Sequence, residues 1–263
     1  MGSLSGKSPA STYKSLLKVA DETNGISAST SQIEDGEGTA SCVSISDDEC
    51  MIAPQNDNLT YTFRVRALDG THLLAVDTTN EVVKVGTTQT PANSQIVEFN
   101  AYDLSPAAAG THYFVGRGSE RYNMLNGATE LANGTGTDPA TSFATSALTD
   151  ELITNLYVVP VNATIDACKF MVSTVTDTDT IINVHLYKFT IKSAGATDDG
   201  TLSSGVLLAS GQATAVDRNC IKTVACTIDS SAVTAGEVLA CFVENETNTD
   251  AIMLTTQVLY HFN

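Results

Sequence analysis

Between Tyr61 and Gly86 the chain runs through three short apolar bursts separated by turn chemistry, and this stretch sets the terms for the rest. Phe63-Arg64-Val65-Arg66 alternates apolar and basic residues, and Asp69-Gly70 is a strong hairpin signal. Leu73, Leu74 and Val76 form the next strand pattern. Asp77-Thr78-Thr79-Asn80 then supplies side chains that bond their own backbone and favour a turn. Val82, Val83 and Val85 resume the pattern, and Gly86 closes it. Three short antiparallel strands bury too little surface to stand alone. The expectation is that identical copies of the chain supply the missing core. The candidate stem residues are Phe63, Val65, Leu73, Leu74, Val76, Val82, Val83 and Val85.

Composition narrows the fold class to mainly β. Hydrophobic residues make up 42% of the 263, enough for a packed core, while charged residues are only 16%. Abundant Thr, Val and Ala with few Lys and Glu favour strands over helices. The net charge of −17 repels phosphate backbones and anionic lipid, so neither nucleic-acid binding nor membrane insertion is expected. No apolar run reaches membrane-spanning length, and the opening MGSLSGKSPAS lacks the apolar core of a signal peptide. The chain therefore reads as made in a cytoplasm. Six cysteines show no CxxC pair and no zinc-type spacing. Free thiols are the default in such a product, with Cys42–Cys50 the pair to consider if one bridge forms.

Four segments follow in order. Residues 1–26 form a candidate anchor: Ser8 suits an N-cap and Pro9 the first turn of a short helix, ended by Asn24-Gly25. Tyr13, Leu16 and Leu17 fall on one face of that helix, and with Leu4 they are the candidate anchor contacts. So short a helix needs something to dock on. Residues 27–102 read as a β stem holding the meander, with short strands at Val43, Ile45 and at Met51, Ile52, and another at Ile96–Tyr102. Asp35-Gly36-Glu37-Gly38 is a solvated acidic turn without the ligand spacing of a calcium loop. Residues 103–147 are loop-rich and form a connector. Residues 148–263 carry seven apolar runs split by polar turns, which indicates an antiparallel β-sandwich or jelly-roll-like knob. In Asn183–Lys192 both strand faces are apolar. Tyr187, Phe189 and Ile191 are the candidate knob interface with another subunit.

Several of these stretches resemble bacteriophage fibre and virion decoration proteins. The resemblance rests on Leu73–Gly86 (LLAVDTTNEVVKVG), Ser3–Val19 with Asp35–Ser41, Asn133–Phe143 and the closing Gln257–Asn263. It implies a virion location, a homotrimer and attachment to other virion proteins through the N-terminal segment. A short tail fibre or spike is the favoured placement, with decoration of the capsid as the alternative. A receptor- or host-glycan-binding module is a further reading, drawn on the loops at 177–179 and 196–200.

No chemistry stands out. GxSxG and HExxH are absent, and the four histidines (72, 112, 185 and 261) are isolated in sequence. His185 and His261 sit in strand patterns, where an imidazole satisfied by its packing neighbours is expected. Asp177, Asp179, Asp198 and Asp199 read as turn formers on surface loops. The sequence thus gives no catalytic residue, no metal ligand and no cofactor, and the expectation is a protein that is not an enzyme.

Overall fold

The computed structural model describes residues 17–263 except 22, 55–57, 87–89, 118–131, 142, 145–155, 177–178, 192–200 and 219. These residues form β-strands joined by turns and contain no helix, so none long and apolar enough to cross a membrane. The chain divides into two compact units, residues 1–92 and 93–263. The sequence reading placed residues 93–102 with the stem. In the structure their strand is hydrogen-bonded within the second unit.

The first unit holds two four-stranded antiparallel sheets, each pairing in chain order. One comprises β1 (Lys18–Val19), β2 (Ser31–Glu34), β3 (Ala40–Ile45) and β4 (Cys50–Ile52). The other comprises β5 (Phe63–Arg66), β6 (His72–Asp77), β7 (Val82–Val85) and β8 (Thr90–Pro91). Strands predicted at Val43–Ile45 and Met51–Ile52 and the three of the meander are all present. The N-terminal helix is not supported where it can be followed. Lys18 and Val19 pair with Glu34 and Ile33, and the Lys18 ammonium lies 3.1 Å from the Glu34 carboxylate. The Asn24-Gly25 signal instead completes a hairpin turn, in which Asp21 Oδ1 accepts the amides of Thr23 and Asn24. A two-residue strand with a ready partner wins over an isolated helical turn, whose nucleation is unfavourable.

The second unit is two antiparallel sheets face to face. Its strands are β9 (Ser94–Leu104), β10 (Thr111–Val115), β11 (Ala132–Thr135), β12 (Phe143–Ala144), β13 (Tyr157–Val158), β14 (Ala163–Thr174) and β15 (Thr180–Ile191). They continue through β16 (Thr201–Val216), β17 (Lys222–Ala225), β18 (Thr227–Ile228), β19 (Ala232–Val233), β20 (Val238–Asn245) and β21 (Ile252–Phe262). The larger sheet runs β11-β10-β20-β15-β16-β12, with β13 on β20 and β18 on β16. The smaller runs β17-β14-β21-β9, with β19 on β14. Alternating side chains from both sheets meet in one core. Val97 and Phe99 (β9), Phe170 and Val172 (β14) and Leu254 and Val258 (β21) pack with Val184 and Leu186 (β15) and Cys241 and Val243 (β20).

Residues 103–147 read as a connector in sequence, yet β10 lies within them and pairs with β20 from His112↔Glu244 to Val115↔Cys241. After β11, residues 134–141 approach the outer face of the larger sheet. The Thr141 carbonyl accepts the Gly205 amide at 2.8 Å, and Asp138 reaches His185. Gly205 is required there: a Cβ would sit 2.6 Å from the Phe189 ring and 2.9 Å from the Thr141 carbonyl oxygen.

Candidate self-association surfaces

The meander sheet owes its geometry to one carboxylate. Asp77 Oδ1 accepts the amides of Thr79 and Asn80, closing the turn between β6 and β7. Its other oxygen accepts the Asn80 side-chain Nδ2–H at 2.8 Å and the Lys84 ammonium at 2.7 Å. Burial pushes this fully enclosed carboxyl up, but the Lys84 and Asn80 bonds outweigh it and hold the group down to about 2. Glu81 follows with φ +57°, a left-handed residue completing the reversal. That turn fixes the register, and in a strand the register decides which residues share a face.

In that register Phe63 stands opposite Val76, which stands opposite Val83. Val65, Leu74 and Val85 form the next row. Directly paired residues project to the same side, so six of the eight candidate stem residues make one continuous apolar face. Phe63, Val65, Val83 and Val85 remain 37–43% exposed within the chain. The other two candidates lie on the opposite side, with Ala75 and Asp77: Val82 is buried and Leu73 is exposed. Of the candidate anchor residues, Leu4, Tyr13 and Leu16 fall outside the described residues, and Leu17 is 77% exposed.

The predicted knob interface does not present itself as a surface. Tyr187 and Phe189 are 3% and 0% exposed, and only Ile191 is open, at 44%. The reason is that the chain lays its own residues on this face, with Thr141 bonded to Gly205 beside the Phe189 ring and Leu156 packed into the cluster. Tyr187 and Phe189 join Leu156, Leu202, Val238, Ala240 and Phe242 in a second core on the outer side of the larger sheet. The two aromatic rings stack with centroids 5.8 Å apart, and Phe242 meets both edge-on at 6.1 Å. Exposed apolar residues lie instead on the outer side of the smaller sheet. Ile96, Tyr102, Met171 and Ile221 are all open there, and the last three border a shallow hollow of about 360 Å³ with Met253.

At the polar end of the second core are two histidines that sequence reading did not bring together. His112 on β10 and His185 on β15 are both buried, with ring centroids 5.0 Å apart. Glu244 lies 3.6 Å from His112 Nε2 and Asp138 lies 3.8 Å from His185 Nε2. Among the described residues no hydrogen-bond partner reaches Nδ1 of His185. Burial pushes His185 down to about 4, with the neighbouring His112 adding to the effect and Asp138 and Asp229 opposing it. Burial likewise lowers His112, against Glu244 and Asp138. The expectation of a satisfied imidazole therefore fails for His185. It holds for His261, whose Nδ1 lies 2.9 Å from Asp166. The signal for the pair was the odd-even parity of THYFV (Thr111–Val115), hidden by the histidine inside it.

Cys42 and Cys50 cannot bridge as they stand. Cys50 pairs with Ile45, whereas Cys42 alternates with Val43 and shares the side of Ser44, so the two thiols lie on opposite faces of the sheet. Asp179 alone of the four loop aspartates is described, and its amide donates to Asp217. The loops proposed for glycan contact otherwise fall outside the described residues. Among the described residues no group of three or more His, Cys, Asp or Glu side chains is placed to hold a metal ion.

No family model matches the chain. No curated protein matches it either. Among solved structures, one of the empty head of turnip yellow mosaic virus aligns over 68% of this chain and 86% of the viral chain. The identity is 9% and the TM-score 0.22, a likeness too slight to carry an argument.

Proposed function

We propose that this chain is a structural, non-enzymatic virion protein of a bacteriophage that assembles as a homotrimer. Its meander sheet forms the shared stem, and its second unit is a jelly-roll knob. The observation that carries the reading is the six-residue apolar face of the meander sheet, four of whose side chains stay open while Ala75, Asp77 and Val82 on the other side are buried. Burying a Val, Leu or Phe side chain fully is worth about 1.5–3 kcal/mol. Six that are already partly covered would gain roughly 5 kcal/mol per copy on mutual burial, an upper estimate. Three copies of one face around an axis form a closed core, which leaves no apolar side in water.

The strand order of the second unit supports the knob. Taking β9, β10, β14, β15, β16, β17, β20 and β21 as eight successive strands, strands one, eight, three and six form one sheet. Strands two, seven, four and five form the other. That is the order of two Greek keys rolled together. The resemblance of Leu73–Gly86 to phage fibre and decoration proteins supplies the virion context. It points to a short tail fibre or spike, with attachment through the N-terminal segment.

Light scattering on the purified protein tests the assembly. The expected mass is three times 27.6 kDa. A double substitution Val65→Asp, Val83→Asp, which places charges on the apolar face, is expected to give a folded monomer. A monomeric wild type would remove the shared-stem reading. A trimer untouched by the double substitution would move the interface elsewhere.

A further inference from the structure

Two of the six cysteines are brought together by the fold in a way their spacing in sequence gives no hint of. Lys169 on β14 pairs with Ala225 on β17, which sets Cys168 directly opposite Cys226. The Cys226 amide donates to the Cys168 carbonyl at 2.9 Å, so the two form a hydrogen-bonded antiparallel pair. Such pairs have Cα atoms about 5.5 Å apart, inside the span of about 4.4–6.8 Å that a disulfide bridges. Opposed residues point to the same side, here inward: Cys168 is buried in the main core and Cys226 packs against it, partly open. Gly211 on β16 makes room, since a Cβ there would stand 3.1 Å from the Cys226 sulfur.

We propose that Cys168 and Cys226 are a dithiol that closes into a disulfide across β14 and β17 when the protein meets a small disulfide oxidant such as oxidised glutathione. A side-chain hydrogen bond between the two thiols raises Cys168 and lowers Cys226, and Cys226 is also the more open of the two, so it is the thiol that meets the oxidant first. Cys226 attacks the oxidant, forming a mixed disulfide and releasing one glutathione thiolate. Cys168 then gives up its proton and attacks the Cys226 sulfur, releasing the second. Two electrons pass from the protein dithiol to the oxidant, and the two protons end on two glutathione thiols. The third core cysteine stands aside. Burial pushes Cys241 up to about 12, and its thiol donates to Thr256 Oγ1 at 3.7 Å. The arrangement suits a product that folds reduced and later meets oxidising surroundings.

The test is to incubate full-length protein with oxidised glutathione and map its peptides without reduction. The expected result is a 168–226 linked peptide, with Cys168 and Cys226 gone from the thiols that an alkylating agent labels after denaturation. The Cys241→Ser variant should form the same link, and Cys226→Ser should form none at Cys168. Oxidised wild type should also shift its denaturant midpoint upward, returning to the reduced value with dithiothreitol. A glutathione adduct that persists on Cys226, unreactive thiols at both positions, or a 168–241 link instead would each overturn the proposal.

Discussion

The meander sheet and the larger sheet of the second unit both carry strands that are apolar where water would be expected, and they resolve the problem in opposite ways. On β15, Val184 and Leu186 face one core while Tyr187 and Phe189 face another, each built from the same chain. On β5, β6 and β7 the corresponding face, from Phe63 to Val85, is left open. A two-sided apolar strand is therefore no evidence of a partner by itself. What decides is whether the chain brings a cover, and residues 134–141 approach one sheet where no described segment of the first unit closes the other.

Removing a core ring should break the self-sufficient region hardest. Phe170→Ala, in the main core of the second unit, is expected to cost about 3–5 kcal/mol in urea denaturation. A loss below 1 kcal/mol would mean that this core is not packed as described. Next comes acidification. His185 is held near 4 in the folded protein and titrates near its ordinary value of about 6.5 when unfolded. The unfolded chain then binds more protons, so stability is complete above about pH 6.5 and falls as pH drops toward 4, by on the order of 3 kcal/mol. His185→Phe, extending the aromatic patch beside Phe242, should reduce this slope. An unaltered slope would show that the group titrates normally.

Gly205→Ala should cost about 1–3 kcal/mol by overpacking against Phe189 and the Thr141 backbone, with assembly unaffected. The smallest effect on the stability of the fold is expected at the open face. Val85→Ser removes an already exposed methyl pair and should change the unfolding free energy of a monomeric background by no more than about 0.5 kcal/mol. In the wild-type background it should nevertheless weaken self-association, read as a rise in the dilution midpoint by analytical ultracentrifugation. Equal effects in both backgrounds would erase the contrast between the two regions.

Much of this plan was legible in the residues. The Asp77–Asn80 turn announced itself because its chemistry is local: one side chain bonds amides two and three residues on. The apolar runs of residues 148–263 correspond to β13, β14, β15, β16, β17, β20 and β21, since alternation survives whatever the partner strand. What stayed hidden depends on distant partners. β10 reads as loop because His112 occupies a strand position, and its burial beside His185 and Glu244 is settled by pairing with β20. The cover over Tyr187 and Phe189 was invisible for the same reason, as was the meeting of Cys168 with Cys226. Leu73 and Val82 joined the stem candidates because apolar identity alone does not report which face a residue takes; the register does.

The position of β21 has a consequence for synthesis. β9 hydrogen-bonds along its length with β21, whose residues Ile252–Phe262 are translated long after Leu104. At about 5–20 residues per second, the ribosome leaves β9 without that neighbour for on the order of ten seconds. The strands of the first unit, each paired with the next in line, need no such wait. A nascent chain thus carries first-unit strands already paired with one another while Val97 and Phe99 remain uncovered, and that interval is when a chaperone would find most to hold.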